Sequence, residues 1–120
     1  MQLHTGVDME VIARFERLLT KPAFLQEIYT EKERAYIGEK PHAAQTAAGL
    51  YCAKEAVAKA LGRGLFGIVP REIEICHDEA GAPSVTLHGS AKAHYGNRSF
   101  ALSISHAGDS AVAFCIVMGE

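Results

Sequence analysis

A chain of 120 residues, 48% of them hydrophobic and 22% charged, has the length and apolar content of one globular domain (residues 1–120) with a real core. Its formal net charge of −2 gives no basic surplus that would make nucleic acid the main partner, and its longest apolar run, Ala111 to Met118, is too short to cross a membrane. The three cysteines, Cys52, Cys76 and Cys115, lack a CxxC pair and lie in apolar runs, so they read as buried free thiols; with no charged-then-apolar leader in MQLHTGVDM, the expectation is a cytoplasmic protein.

In chain order, Leu3 to Val7 reads as a short extended segment that stops at Asp8. Met9, Val11, Ile12, Phe15, Leu18 and Leu19 then recur at helical spacing. Asp8 therefore falls at a strand-to-helix junction, where its simplest role is an N-cap. Arg14 and Arg17 project away from the apolar stripe, and Lys21 precedes Pro22, which ends the segment. Three positive charges on one exposed side are either merely solvated or suited to an acidic protein partner. Thr30-Glu31-Lys32-Glu33 has capping-box spacing and predicts a second helix over Glu31 to Ile37, broken by Gly38 and Pro41.

A long helix begins near His42 and includes the stretch from Ala47 to Leu65. Stepping by three and four gives Ala47, Tyr51, Glu55, Ala58 and Gly62, which puts the Glu55 carboxylate on the stripe that should face the core. A carboxylate is tolerated there if it meets a cation. Lys59, at i+4, is one partner, and the pair would be an ordinary helical one if it lay on a solvated flank; a metal is the other. The sequence Leu61-Gly62-Arg63-Gly64 closes the helix with two glycines, which let the backbone approach a ligand.

Beyond Gly64 the period changes. Glu72 to Cys76 alternates like a half-buried strand, a turn surrounds Ala80-Gly81, and Ser84 to Leu87 alternates again, forming a hairpin. Gly89 to Tyr95 reads as a short helix, and Phe100 to Ser105, a turn at Ala107 to Ser110, and Ala111 to Met118 make a second hairpin. Phe100, Leu102 and Ile104 share one face of that strand, Ser103 and Ser105 the other, and His106 stands at the strand end. The fold class is α+β, a single domain with helices packed on an antiparallel sheet that the amino-terminal strand joins.

Together, TGVDMEVIARF at 5–15, YCAKEAVAKALGRG at 51–64, EIEICHDEAGAP at 72–83 and LSISHAGDSAVAF at 102–114 resemble the holo-acyl-carrier-protein synthase family of phosphopantetheinyl transferases, in order and in spacing. The resemblance covers nearly the whole chain. It implies that Asp8 and Glu55 bind magnesium, a choice that agrees with the preference of Mg²⁺ for hard oxygen ligands, waters and substrate phosphate oxygens. It also implies transfer of the phosphopantetheine arm of coenzyme A to a serine of an acyl carrier protein, with release of adenosine 3′,5′-bisphosphate, in support of fatty acid biosynthesis.

By the same resemblance, Asp8, Glu55 and Lys59 are the catalytic set. Lys59, Gly62, Arg63, Gly64, Ser105 and His106 line the coenzyme A groove, Arg14 with Arg17 and Lys21 docks the carrier protein, and subunits pair into a homotrimer with active sites at their interfaces. Leu50 departs from the family, where a basic residue often stands, and Arg63 between the glycines is the candidate to restore that charge. Two other classes are compatible with the same residues. A metal-dependent nucleotide diphosphate hydrolase acting on coenzyme A would use the same acids and lysine, and a noncatalytic carrier-protein-binding module would need no turnover.

Overall fold

The computed structural model describes residues 2–64 and 67–119, so Leu65, the last residue of the long-helix stretch, lies outside the described residues. Strand β1 (Leu3–Val11) leads directly into helix α1 (Ile12–Leu18), followed by α2 (Pro22–Ile28), α3 (Glu31–Glu39) and α4 (Ala43–Ala60). A 3-10 turn (Pro70–Glu72) then precedes the hairpin β2 (Ile73–His77) and β3 (Pro83–Leu87), helix α5 (Gly89–Tyr95), and the closing strands β4 (Ser99–Ala107) and β5 (Ser110–Met118). The strands form two antiparallel sheets, a three-stranded one in the order β1-β5-β4 and the separate β2-β3 pair.

Helix α4 is the centre of the molecule. Its buried face is built from Ala47, Ala48, Ala53, Ala56, Val57 and Ala60, side chains short enough for the helix to lie close on the sheet. The closest approach is at Gly6 of β1, where a Cβ atom would stand 2.0 Å from the Ala56 carbonyl oxygen and 2.7 Å from the Ala60 nitrogen. No side chain fits there, so glycine sets the spacing that brings Asp8, two residues on, against the same helix. Gly62 and Gly64 end α4 in the left-handed region, with φ of 80° and 71°.

A second set of contacts fixes the far side of α4. Thr30 and Glu33 form the expected capping box, and the Glu33 carboxylate also accepts the Ile75 amide at 2.8 Å. Lys54, fully buried, sets its ammonium 2.7 Å from Glu33 and donates to the carbonyls of Pro70 and Ile73 at 2.9 and 2.5 Å. Burial pulls the Lys54 ammonium below the ordinary lysine pKa, and the Glu33 charge opposes that pull. One polar cluster thus ties α3, α4, the 3-10 turn and β2 together.

Three expectations need correction. Asp8 is not an N-cap: β1 runs on to Val11, which precedes α1 without any side-chain cap, because the whole strand is paired residue for residue with β5. Ladder bonds satisfy the backbone there in place of a helical turn. Pro22 does not only end a helix; at the first position of α2 it begins one that the periodicity did not reveal. Cys76 is half-buried, whereas Cys52 and Cys115 are buried as expected, and burial raises their thiols to about 12 and about 11, which keeps them protonated and inert.

Candidate active site

Alternation along β1 turns Gly6, Asp8 and Glu10 toward α4, while Leu3, Val7, Met9 and Val11 face outward. Asp8 Oδ1 lies 3.2 Å from the Lys59 ammonium, which also donates to the Val7 carbonyl at 3.0 Å. Lys59 therefore reaches from α4 across to the strand, a partner that the i+4 spacing with Glu55 did not indicate. The Asp8 side chain is 9% exposed and its Oδ2 is buried with no hydrogen-bond partner. An orphaned carboxylate oxygen in that position calls for a proton, a water or a cation.

The surrounding charge favours a cation. The Glu10 carboxyl is pushed up to about 7, first by burial and then by the neighbouring Asp8 carboxylate; Arg14 opposes the shift and Glu55 adds to it. Asp8, Glu10 and half-buried Glu55 thus share one negative field. Among the described residues no group of three or more His, Cys, Asp or Glu side chains converges tightly enough to cage a metal alone. Mg²⁺ does not require such a cage, since it commonly takes one or two carboxylates and completes its shell with water and phosphate oxygens. The residues present fit it.

Lys59 and Gly62 open onto a cavity of about 560 Å³ that His4, Thr5 and Arg98 also line. Arg63 does not join them. Its Nε donates to the Tyr95 hydroxyl on α5 at 2.9 Å, within a smaller cavity of about 120 Å³ that Glu72 and His94 share. Gly64 lies beyond the helix end in open space, with nothing within 4 Å of where a Cβ would stand.

The β4 residues lie two strands from β1, with Ile104 level with Asp8 and His106 level with Glu10 across β5. Ser105 is exposed on the outer face, and His106, on the opposite face of the same strand, meets Gln45 at 3.0 Å between Nε2 atoms. Gln45 and Lys59 are separated by roughly 21 Å of helix, at about 1.5 Å per residue. His106 instead lines a cavity of about 310 Å³ with Leu50, Tyr36 and His77. The Tyr36 and His77 rings stack there at 4.2 Å and 5°, and burial, followed by the Lys40 charge, lowers the His77 pKa. His106 and Lys59 thus line different cavities of the chain.

Arg14, Arg17 and Lys21 do converge, around a surface cavity of about 420 Å³ on α1 and the segment after it. Arg14 pairs with Glu10, and its guanidinium stands 5.4 Å from the Phe15 ring and 5.7 Å from the Tyr51 ring. Sequence reasoning missed Glu10, although strand alternation places it on the face of Asp8. It also missed the Lys54–Glu33 pair, for which the capping box supplied only one partner.

Comparison with known proteins bears on this arrangement. The profile of the 4′-phosphopantetheinyl transferase superfamily matches residues 4–115. A holo-[acyl-carrier-protein] synthase of Caldanaerobacter subterraneus is 41% identical, over 99% of this chain and 97% of that protein. The structure of the ACPS–CoA complex of Chronobacterium ammoniagenes superposes with a TM-score of 0.87 at 28% identity, covering 100% of this chain and 99% of that one. The holo-[acyl-carrier-protein] synthase of Helicobacter pylori in complex with coenzyme A gives 0.84 at 29%, over 95% and 99%.

Proposed function

As the chain belongs to the 4′-phosphopantetheinyl transferase superfamily, we propose that it transfers the 4′-phosphopantetheine group of coenzyme A to a serine of an apo acyl carrier protein and releases adenosine 3′,5′-bisphosphate. The observation that carries this reading is the Asp8 carboxylate, paired on one oxygen with Lys59 and orphaned on the other, in the negative field of Glu55. A diphosphate brings the anionic oxygens that a lysine and a carboxylate-held cation would grip together.

In this reaction the serine oxygen attacks the pantetheine-side phosphorus in line. The bond from that phosphorus to the bridging oxygen breaks, and the electron pair leaves with adenosine 3′,5′-bisphosphate. Glu55 accepts the serine proton. Lys59, 47% exposed beside Asp8, offsets charge on the diphosphate and leaving group. Magnesium, held by Asp8 and Glu55, supplies further neutralisation of that charge when bound. Arg14, Arg17 and Lys21 form the basic face for the carrier protein.

The homotrimer belongs to the same proposal. One feature supports it: the outer face of the three-stranded sheet exposes Leu3, Val7, Met9, Val11 and Phe114. A neighbouring subunit would cover that face and bring its own β4 end toward the site. The coenzyme A groove is then assembled from Lys59, Gly62 and Gly64 of one subunit and the β4 end of the next, with Arg63 turned toward α5 in the free chain. No helix among the described residues is long and apolar enough to cross a membrane, and the free buried thiols favour a cytoplasmic setting, where the product serves fatty acid biosynthesis and nucleic acid is no partner.

Incubation of an apo carrier protein with coenzyme A and magnesium tests the reading by mass spectrometry. The expected result is addition of one phosphopantetheine group to the carrier. Hydrolysis of coenzyme A without carrier modification, or no addition to any of several carrier proteins, would overturn it.

A further inference from the structure

One end of the three-stranded sheet gathers basic side chains beside the proposed site. Leu3 opens β1, Met118 closes β5 and Ser99 opens β4, and the ladder sets the three level with one another. Arg98, the residue before Ser99, therefore stands at the end of the sheet where β1 begins. Leu3, His4 and Thr5 of β1, Lys59 and Gly62 at the end of α4, and Arg98 together line the cavity of about 560 Å³, and none of the described residues around it is acidic. Two arginines meet Tyr95 of α5 in different ways. Arg63 donates from Nε to its hydroxyl at 2.9 Å and lines the smaller cavity, whereas the Arg98 guanidinium carbon lies 5.6 Å from the ring centroid and its side chain lines the larger one. A guanidinium already held against an aromatic ring loses less freedom when it grips a ligand. The helix end offsets little of this positive charge, because the amides of Gly62, Arg63 and Gly64 already donate to the carbonyls of Lys59 and Ala58.

Resting on the transfer reading, we propose that Arg98 is a further coenzyme-binding residue, which with Lys59 makes the cavity at the end of α4 a seat for a phosphate group of coenzyme A. The substrate offers two: the diphosphate that carries the reacting phosphorus, and the phosphate that stays on the 3′ carbon of the departing adenosine 3′,5′-bisphosphate. Both are anions whose oxygens match the forked donors of a guanidinium. Lys59 reaches back to Asp8 at 3.2 Å and is 47% exposed, so it joins this cavity to the carboxylates. Arg98 adds a second full positive charge to the same cavity, from a different element of the fold. A phosphate placed between a strand end and a helix end in this way is held from two sides.

Isothermal titration calorimetry of the full chain tests this, with coenzyme A and 3′-dephospho-coenzyme A titrated into wild type, Arg98→Gln, Arg98→Lys and Lys92→Gln. Circular dichroism checks the fold of each variant. Lys92, a cation of α5 that does not line the cavity, controls for net charge. Arg98→Gln should weaken coenzyme A binding by about 10-fold, the lower end of what a hydrogen bond to a charged group contributes. Arg98→Lys, which keeps the charge but not the fork of donors, should weaken it by a smaller factor. A loss for coenzyme A that is absent for the 3′-dephospho form assigns the 3′-phosphate to Arg98, and an equal loss for both assigns the diphosphate; each supports the proposal. Wild-type affinity in both Arg98 variants, or the same loss in Lys92→Gln as in Arg98→Gln, would overturn it. The mass-spectrometric assay keeps the two readings apart: an enzyme that loads carrier protein but binds coenzyme A equally well without Arg98 retains its activity and loses only this inference.

Discussion

Lys59 holds Asp8 at 3.2 Å and the Val7 carbonyl at 3.0 Å, so its ammonium is already placed where a diphosphate would meet the carboxylates. Lys59→Met keeps most of the apolar stem and deletes the charge. It should lower kcat by roughly 10²-fold, the size of effect seen when a donor aimed at transition-state charge is removed. It should also raise KM for coenzyme A. Steady-state kinetics separate the two roles: an unchanged kcat with a raised KM would mean that Lys59 supplies uniform binding only. The fold should survive, since the side chain is half-exposed and its loss removes one donor shared by an Asp8 oxygen and the Val7 carbonyl.

At the level of elements, the part of the sequence that reads correctly is the part governed by neighbours in the chain. The capping box of Thr30 and Glu33, the glycine-closed end of α4 and helix α5 from Gly89 to Tyr95 all follow from local rules. The extension of β1 to Val11 does not, because its cause is β5, nearly the whole chain away. Lys54 is the clearest case. Next to Glu55 in the sequence it reads as another helical charge, yet tertiary contacts bury it completely against Glu33, Pro70 and Ile73. Breaking a buried pair costs about 3–5 kcal/mol, so Lys54→Met should lower stability by that amount in urea denaturation. Lys54→Met with Glu33→Gln should recover much of the loss, because the amide oxygen still accepts one of the amides of Thr30 and Ile75 without a stranded charge. A double variant as unstable as the single one would show that the charge itself is not what Lys54 neutralises.

For the whole molecule, the decisive feature is the face of the three-stranded sheet turned away from α4. Val7 and Phe114 are direct cross-strand partners, 54% and 43% exposed, and Met9 and Leu3 extend the apolar surface along β1 at 66% and 61%. An antiparallel sheet can keep one face in water, but such a face is ordinarily polar; here β4 presents Ser103 and Ser105, while β1 and Phe114 of β5 present mostly large apolar side chains. A charge placed at its centre by Phe114→Glu leaves the core side of β5 untouched, and an exposed substitution away from structural features usually changes monomer stability by no more than about 0.5 kcal/mol. Burial of that carboxylate in a subunit interface would instead be strongly unfavourable. Light scattering after gel filtration should therefore find trimer for the wild type and monomer for Phe114→Glu. Transfer should be lost with assembly even though Asp8, Glu55 and Lys59 are intact, because His106 and Ser105 would no longer be supplied from a second subunit. A variant that keeps the trimeric mass, or a monomer with wild-type transfer, would show that the apolar face is not the interface and that one chain holds the whole site.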